Sequence, residues 1–406
     1  RQQVVGLKAA DFPSPTTVAD FLTRRPNRDS LVVVVDEAGQ IGARQMLELV
    51  RFVRSLNGRL ILSGDTRQHG PVEASDALLA IERFAGLDPA ELECIRRQNP
   101  DLGQTKDERA SIAAYRRAVE AAAAGRLQES FDRLDRMGAV IAGRFDEQAD
   151  KLAGEYLRLT EQACSTVVVS QTWGEVHRVN QQVRAVLKSK GILDGEERIV
   201  PALEKVDLTS AQKRDPRFYD PATVIVFNQP LRGVAAGSTG RPAAFLGNRL
   251  LVEVGQRIVM IPARYLDRIN VCRPVELSLS PGDRLQLKAN RKQSDGASVT
   301  NGELVTVRSL SPDGVIELQD GRVLDANYRE FVPGYAVTSY GSQGRTVDYV
   351  LFSDQRSRLR PTTSNGTLQF REAEREFASS RRTKSSCAKT SSGQAKGSSR
   401  WKSSAR

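Results

Sequence analysis

Two acids, Asp36 and Glu37, stand directly after an apolar run at 31–35, and a third, Asp65, follows a second apolar run at 60–62. Acids so placed are equipped for metal and water chemistry. A continuous β-branched run with no polar face suits a central parallel strand covered by helices on both sides, and such sheets bind ligands beyond the carboxyl ends of their strands. There a carboxylate can hold the Mg²⁺ of a nucleoside triphosphate while a neighbouring one acts as base toward water. Asp36 is the candidate metal ligand and Glu37 the candidate base. The phrase Ser63-Gly64-Asp65-Thr66-Arg67-Gln68 would deliver an amide, Gln68, to the same sheet edge. Between the two runs, Met46, Leu49, Val50 and Val53 recur at helical spacing and Asn57-Gly58 supplies a stop, so an amphipathic helix is expected over 42–57. The whole is a strand-helix-strand unit that sets two acid turns side by side.

Further along, a helical stretch over 111–124 precedes a second α/β unit, with a strand at 166–170 and a helix from about 175 to 188 ended by Gly191. From 221 to 333 the pattern changes to short β-prone runs, at 223–227, 257–261, 284–288, 304–310 and 315–318, separated by Gly, Pro, Asp and Asn. Small antiparallel sheets or a barrel are expected there. After it a β-prone run enters a Ser/Gly/Gln turn and a second apolar strand leaves it.

The phrases VVDEAG, GARQM and LSGDTRQHGPVEAS resemble motifs II and III of superfamily 1 helicases, in particular the RecD-like branch that includes the helicase part of MobF-type conjugative relaxases (the TraI/TrwC kind). YAVTSYGSQGRTVDYVLF resembles motif V of the same family, with Tyr340 and Gly341 where RecD-type members carry His and Lys. The resemblance implies an α/β fold of RecA-like P-loop NTPase motor domains, with ATP and Mg²⁺ as cofactors, single-stranded DNA and relaxosome or other conjugation proteins as partners, and 5′-to-3′ movement. It gives Asp36 the Mg²⁺, Glu37 the attacking water, and Gln68 the sensing of the γ-phosphate. Arg97, the second arginine of LECIRRQ, would stabilise transition-state charge, a role suited to a guanidinium that forks onto phosphate oxygens. Thr338, Ser339 and Ser342 would touch the DNA backbone, with Gln343 and Gly344 near the nucleotide.

On this reading residues 1–155 are a partial first motor domain and 156–220 the start of the second. Residues 221–333 are a β-rich, SH3-like insertion, 334–354 the motif V part, and 355–406 a basic low-complexity tail. No Gly-Lys dipeptide occurs in the chain, so the phosphate loop GxxxxGK[ST] is missing. We therefore read the chain as a fragment beginning after the Walker A strand and helix, and expect it to be a poor ATPase alone. Two rivals stay open: a RecD-like recombination or repair helicase, and a non-enzymatic remnant of a broken helicase gene.

The formal charge of +11 points to nucleic acid only through the tail, because residues 356–406 hold 13 Lys/Arg against 3 Glu. The remaining body is nearly neutral. With 12 Ser and few apolar residues, that tail cannot bury enough surface to offset its conformational entropy, and either a genuine basic tail or a shifted reading frame after about Ser353 accounts for it. The four cysteines lack CxxC spacing and the two histidines lie far apart, so neither a zinc site nor a disulfide framework is expected. With no signal peptide and no long apolar span, a cytoplasmic location is expected.

Overall fold

The computed structural model describes residues 15–66, 70, 76–91, 98–143, 145–193, 195–342, 345 and 347–353. The chain divides into two units, one of 1–179 with 337–406 and one of 180–336, and each is described by itself.

In the first unit, helix α1 (Val18–Arg24) is capped by Thr17, whose hydroxyl accepts from Asp20 N–H. Strand β1 (Val32–Val35), helix α2 (Ala43–Ser55) and strand β2 (Arg59–Leu62) then form the expected strand-helix-strand unit, with β1 and β2 parallel and in register from Val32↔Arg59 to Val35↔Leu62. Met46, Leu49 and Val53 of α2 are buried together with Val35, Ala38 and Ile41, and Val33, Leu60 and Leu62 pack against them. Gly58 closes the α2–β2 turn where a Cβ would come within 2.6 Å of Leu31 O, so no larger residue fits. The expected cover over both faces of β1 is not found among the described residues: Val32 and Val34 are 55% and 61% exposed. The reason is that the described helices packed against β1 lie on one face, and β2 is the one described strand that pairs with it.

Helix α3 (Ala77–Phe84) starts at Asp76, and α4 (Lys106–Ala123) starts at a capping box formed by Thr105 and Glu108. That Thr-x-x-Glu signal sets the start of α4 five residues before the expected one. Helix α5 (Leu127–Arg136) folds back on α4, burying Tyr115, Ala118 and Leu134. Then come α6 (Phe145–Glu161), β3 (Thr166–Ser170) and α7 (Trp173–Ser189), the last two as read from the sequence, with Gly191 at φ +70 following the helix. The division between the units falls within α7.

The second unit is built on antiparallel strands, as the short runs suggest. β4 (Arg198–Lys205), β5 (Val224–Phe227), β6 (Thr239–Leu246), β7 (Arg249–Val254), β8 (Arg257–Pro262) and β9 (Ile269–Leu279) form one sheet in the order β4-β9-β5-β6-β7-β8. β10 (Arg284–Leu287), the hairpin β11 (Arg291–Lys292) and β12 (Ser298–Val299), β13 (Leu304–Leu310), β14 (Ile316–Leu318), β15 (Val323–Leu324) and β16 (Phe331–Pro333) follow. A second sheet runs β15-β14-β13-β10-β16. Leu285, Leu287, Val307, Leu318 and Phe331 of that sheet share a core with Val200, Ala202 and Leu279 of the first. A separate core of Ile225, Phe227, Leu250, Val252 and Ile261 lies within the first sheet.

Returning to the first unit, β17 (Ala336–Thr338), the short helix α8 (Ser339–Ser342) and β18 (Tyr349–Ser353) complete a three-stranded sheet, β17-β3-β18, with β18 parallel to β3. α6 packs on β3 and β18, and all five residues of β3 are buried. The amino ends of β3 and β18 are joined through Asp348, whose carboxylate accepts from Ser165 N (2.9 Å) and Ser165 Oγ (2.7 Å). Among the described residues no helix is long and apolar enough to cross a membrane.

Candidate functional site

The parallel pairing of β1 with β2 brings Asp36, Glu37 and Asp65 to one carboxyl edge. Two reciprocal backbone bonds carry the pairing past the strand ends: Ser63 N donates to Val35 O and Ala38 N to Ser63 O, both at 2.8 Å. The turns then press together. A Cβ on Gly64 would lie 3.1 Å from the backbone nitrogens of both Ala38 and Gly39 and 2.9 Å from Leu78 Cδ2 of α3, and a Cβ on Gly39 would lie 3.5 Å from Asp65 O. Gly64 is therefore what lets the second acid turn lie on the first, a constraint that residue patterning could flag only as a glycine after a strand.

Glu37 holds the left-handed conformation, φ +53 and ψ 44, between β1 and a 3-10 turn at Ala38–Gln40. For a residue with a long side chain that conformation costs about 1 kcal/mol or more, and such strain gathers where chemistry needs a side chain aimed. Asp36 and Asp65 are exposed and Glu37 is half-buried, while Ala38 directly after them is fully buried. Hard carboxylate oxygens at an exposed sheet edge are the donor type that Mg²⁺ takes, in ones or twos, alongside phosphate oxygens. Gln68 and Arg97 lie outside the described residues, as do Gln343 and Gly344.

The second group sits on the turn between β17 and β18. Thr338 Oγ1 accepts from Gly341 N at 3.1 Å, Ser342 Oγ donates to Ser339 O at 2.6 Å, and Arg345 Nε donates to Gly341 O at 3.0 Å. Two of the three hydroxyls expected to touch DNA, those of Thr338 and Ser342, thus also build their own turn. Thr338 and Ser342 are half-buried, Ser339 is buried, and Tyr340 is 47% exposed. At the carboxyl edge of the same sheet, Ser353 Oγ donates to the buried Glu175 carboxylate near the start of α7, a contact that sequence reading missed because 178 residues separate the partners.

Residues 6–144 match the family described as an AAA domain. The chain is 26% identical over 277 residues to a probable conjugal transfer protein TraA of Sinorhizobium fredii, covering 66% of this chain and 23% of that protein. It is 27% identical over 257 residues to the conjugal transfer protein TraA of Agrobacterium fabrum, covering 62% of this chain and 21% of that one. The chain spans under a quarter of the length of these two relatives. Among solved structures, it is similar to Pif1 helicases described at forked double-stranded DNA, with TM-score 0.41 and 14% identity over 86% of this chain and 67% of that one. A Bacteroides Pif1 helicase in complex with ADP-AlF₃ and single-stranded DNA gives TM-score 0.34 and 12% identity, over 92% of this chain and 73% of that one.

Proposed function

We propose that this chain, a relative of the conjugal transfer TraA proteins with an AAA domain over residues 6–144, is part of the helicase region of a conjugative relaxase. The parent is an ATP-dependent DNA helicase that moves 5′ to 3′ on single strands during plasmid transfer in the cytoplasm. The observation that carries this reading is the Asp36–Glu37 turn packed on the Ser63–Asp65 turn at one carboxyl edge.

Asp36 would hold Mg²⁺, which when bound neutralises phosphate charge as the terminal phosphoryl group leaves. Glu37, held in the left-handed backbone conformation directly after β1, orients the attacking water and accepts its proton. Gln68 senses the γ-phosphate and relays its loss toward the DNA, while Arg97 stabilises the charge that builds in the transition state. Thr338, Ser339 and Ser342 contact the DNA backbone. Because the Thr338 hydroxyl oxygen already accepts within its turn, its hydrogen is what it offers a phosphate oxygen. Gln343 and Gly344 would serve the nucleotide, and relaxosome or conjugation proteins are the expected macromolecular partners. The absence of a Gly-Lys dipeptide favours, as a second reading, a polypeptide that keeps the fold without turnover.

The test uses two proteins. The purified chain is expected to show no measurable ATP hydrolysis with single-stranded DNA, because it has no Gly-Lys phosphate loop, and robust turnover would overturn that expectation. When an upstream phosphate-loop segment from a TraA relative is joined to it, Glu37→Gln keeps nucleotide binding and slows hydrolysis about 10²–10⁴-fold, the range for a positioned base. Asp36→Asn instead weakens Mg²⁺-ATP binding. Equal loss of binding in both variants would show the two roles to be wrongly assigned.

A further inference from the structure

At the base of the β-rich unit, a polar network joins the helix that leads into it to the strand that leads out. Asn180, 4% exposed on α7, accepts at Oδ1 from the backbone N–H groups of Tyr335 (2.8 Å) and Ala336 (2.9 Å), and its Nδ2 donates to Ala336 O (3.2 Å). One side-chain amide thereby does for two successive residues what a neighbouring strand would do. Arg184 stands one helical turn further on and on the same side of the helix. Its Nε lies 3.0 and 3.1 Å from the two oxygens of Asp283, and a terminal nitrogen lies 3.0 Å from one of them.

Asp283, 2% exposed between β9 and β10, also accepts from Ser280 N (2.7 Å) and from the Tyr335 hydroxyl (2.7 Å). Tyr335 is therefore held twice, by its backbone and by the tip of its ring. Just before it, a Cβ on Gly334 would come within 2.6 Å of the Leu285 carbonyl carbon, and Gly334 N donates to Arg284 O at 2.7 Å.

Apolar packing would hold such a neck without the cost of burying an amide, a carboxylate and a phenol. What polar groups add is register, because an amide that bonds the N–H groups of 335 and 336 is left unpaired if the chain slips by one residue. We propose that Asn180, Arg184, Asp283 and Tyr335 are positioning residues: they fix the register at which the chain leaves the β-rich unit, and with it which residues enter the turn that begins at Thr338. The part concerning DNA rests on the reading above, in which that turn contacts a single strand.

The experiment compares the full chain with its Asn180→Ala and Tyr335→Phe variants, using Ile199→Ala as an exposed control in the same unit. Amide hydrogen exchange and binding of a fluorescent oligothymidylate are measured in parallel. Asn180→Ala is expected to speed exchange at 335–338 about tenfold or more, leave β4, β9 and β13 protected, and weaken oligothymidylate binding about tenfold. Tyr335→Phe gives a smaller change, about two- to fivefold, in both readouts, and it decides the matter if Asn180→Ala unfolds the unit. Unchanged exchange at 335–338 in the folded variants overturns the clamp. Faster exchange with unchanged DNA affinity overturns its positioning role. If the parent chain binds no oligothymidylate, the DNA reading fails and exchange alone decides the register claim.

Discussion

Val32–Val35 and Thr166–Ser170 are nearly the same run of β-branched residues, yet their surroundings are opposite. β3 lies between β17 and β18 and every residue of it is buried, whereas β1 pairs with β2 alone among the described strands and exposes Val32 and Val34. A β-branched run therefore specifies an extended backbone, while burial is decided by how many strands flank it and which faces the helices cover. Complete burial of each valine in β3 contributes about 1.5–3 kcal/mol, and β1 collects that from one face only.

The sharpest way to break this comparison is to place a charge in both strands. Val168→Asp buries an unpaired carboxylate at a fully buried position and should cost about 4 kcal/mol or more, while Val34→Asp should change stability by less than about 1 kcal/mol. Urea midpoints followed by circular dichroism decide it, and equal midpoints would mean that β1 is as covered as β3. A second pair concerns the segments after β2, the partner of β1, and after β3. Gly64→Ala must push on two backbone nitrogens and should cost about 1–3 kcal/mol. Gly174→Ala, at the start of α7 with nothing within 4 Å of its Cβ, should be neutral or stabilise by up to about 1 kcal/mol. The thermal midpoint should fall for Gly64→Ala and hold or rise for Gly174→Ala. The smallest contrast is between two serines. Ser165→Ala removes a hydroxyl that both donates to and accepts from Asp348 and should cost about 1–2 kcal/mol, against about 0.5 kcal/mol or less for Ser63→Ala, whose bonds to β1 are made by its backbone. The same urea series reads both.

Where local signals agree, the sequence is a close guide to these elements. β3 falls at 166–170 as expected, β13 at 304–310, and α2 within 42–57, because apolar spacing and glycine or asparagine stops point the same way. β6, β7 and β9 are harder to see. Pro242 sits beside a bulge in β6, and β9 runs for eleven residues straight through Pro274. Strand pairing there overrides a residue that ordinarily marks a strand's edge. At the candidate site, Asp36 and Glu37 are legible as acids ending a strand. The steric demand at Gly64 and the bonds from Asn180 are not, since they join residues that are neighbours only after folding.

Glu37 carries a consequence for any attempt to improve this chain by selection. Its φ of +53 suits glycine or asparagine better than glutamate, so replacing it with either would relieve backbone strain. A screen that rewards stability alone would accept those substitutions and discard the carboxylate. Conversely, a chain that drifts without selection for turnover gains nothing by keeping glutamate there, which makes the residue at position 37 a record of which pressure has acted.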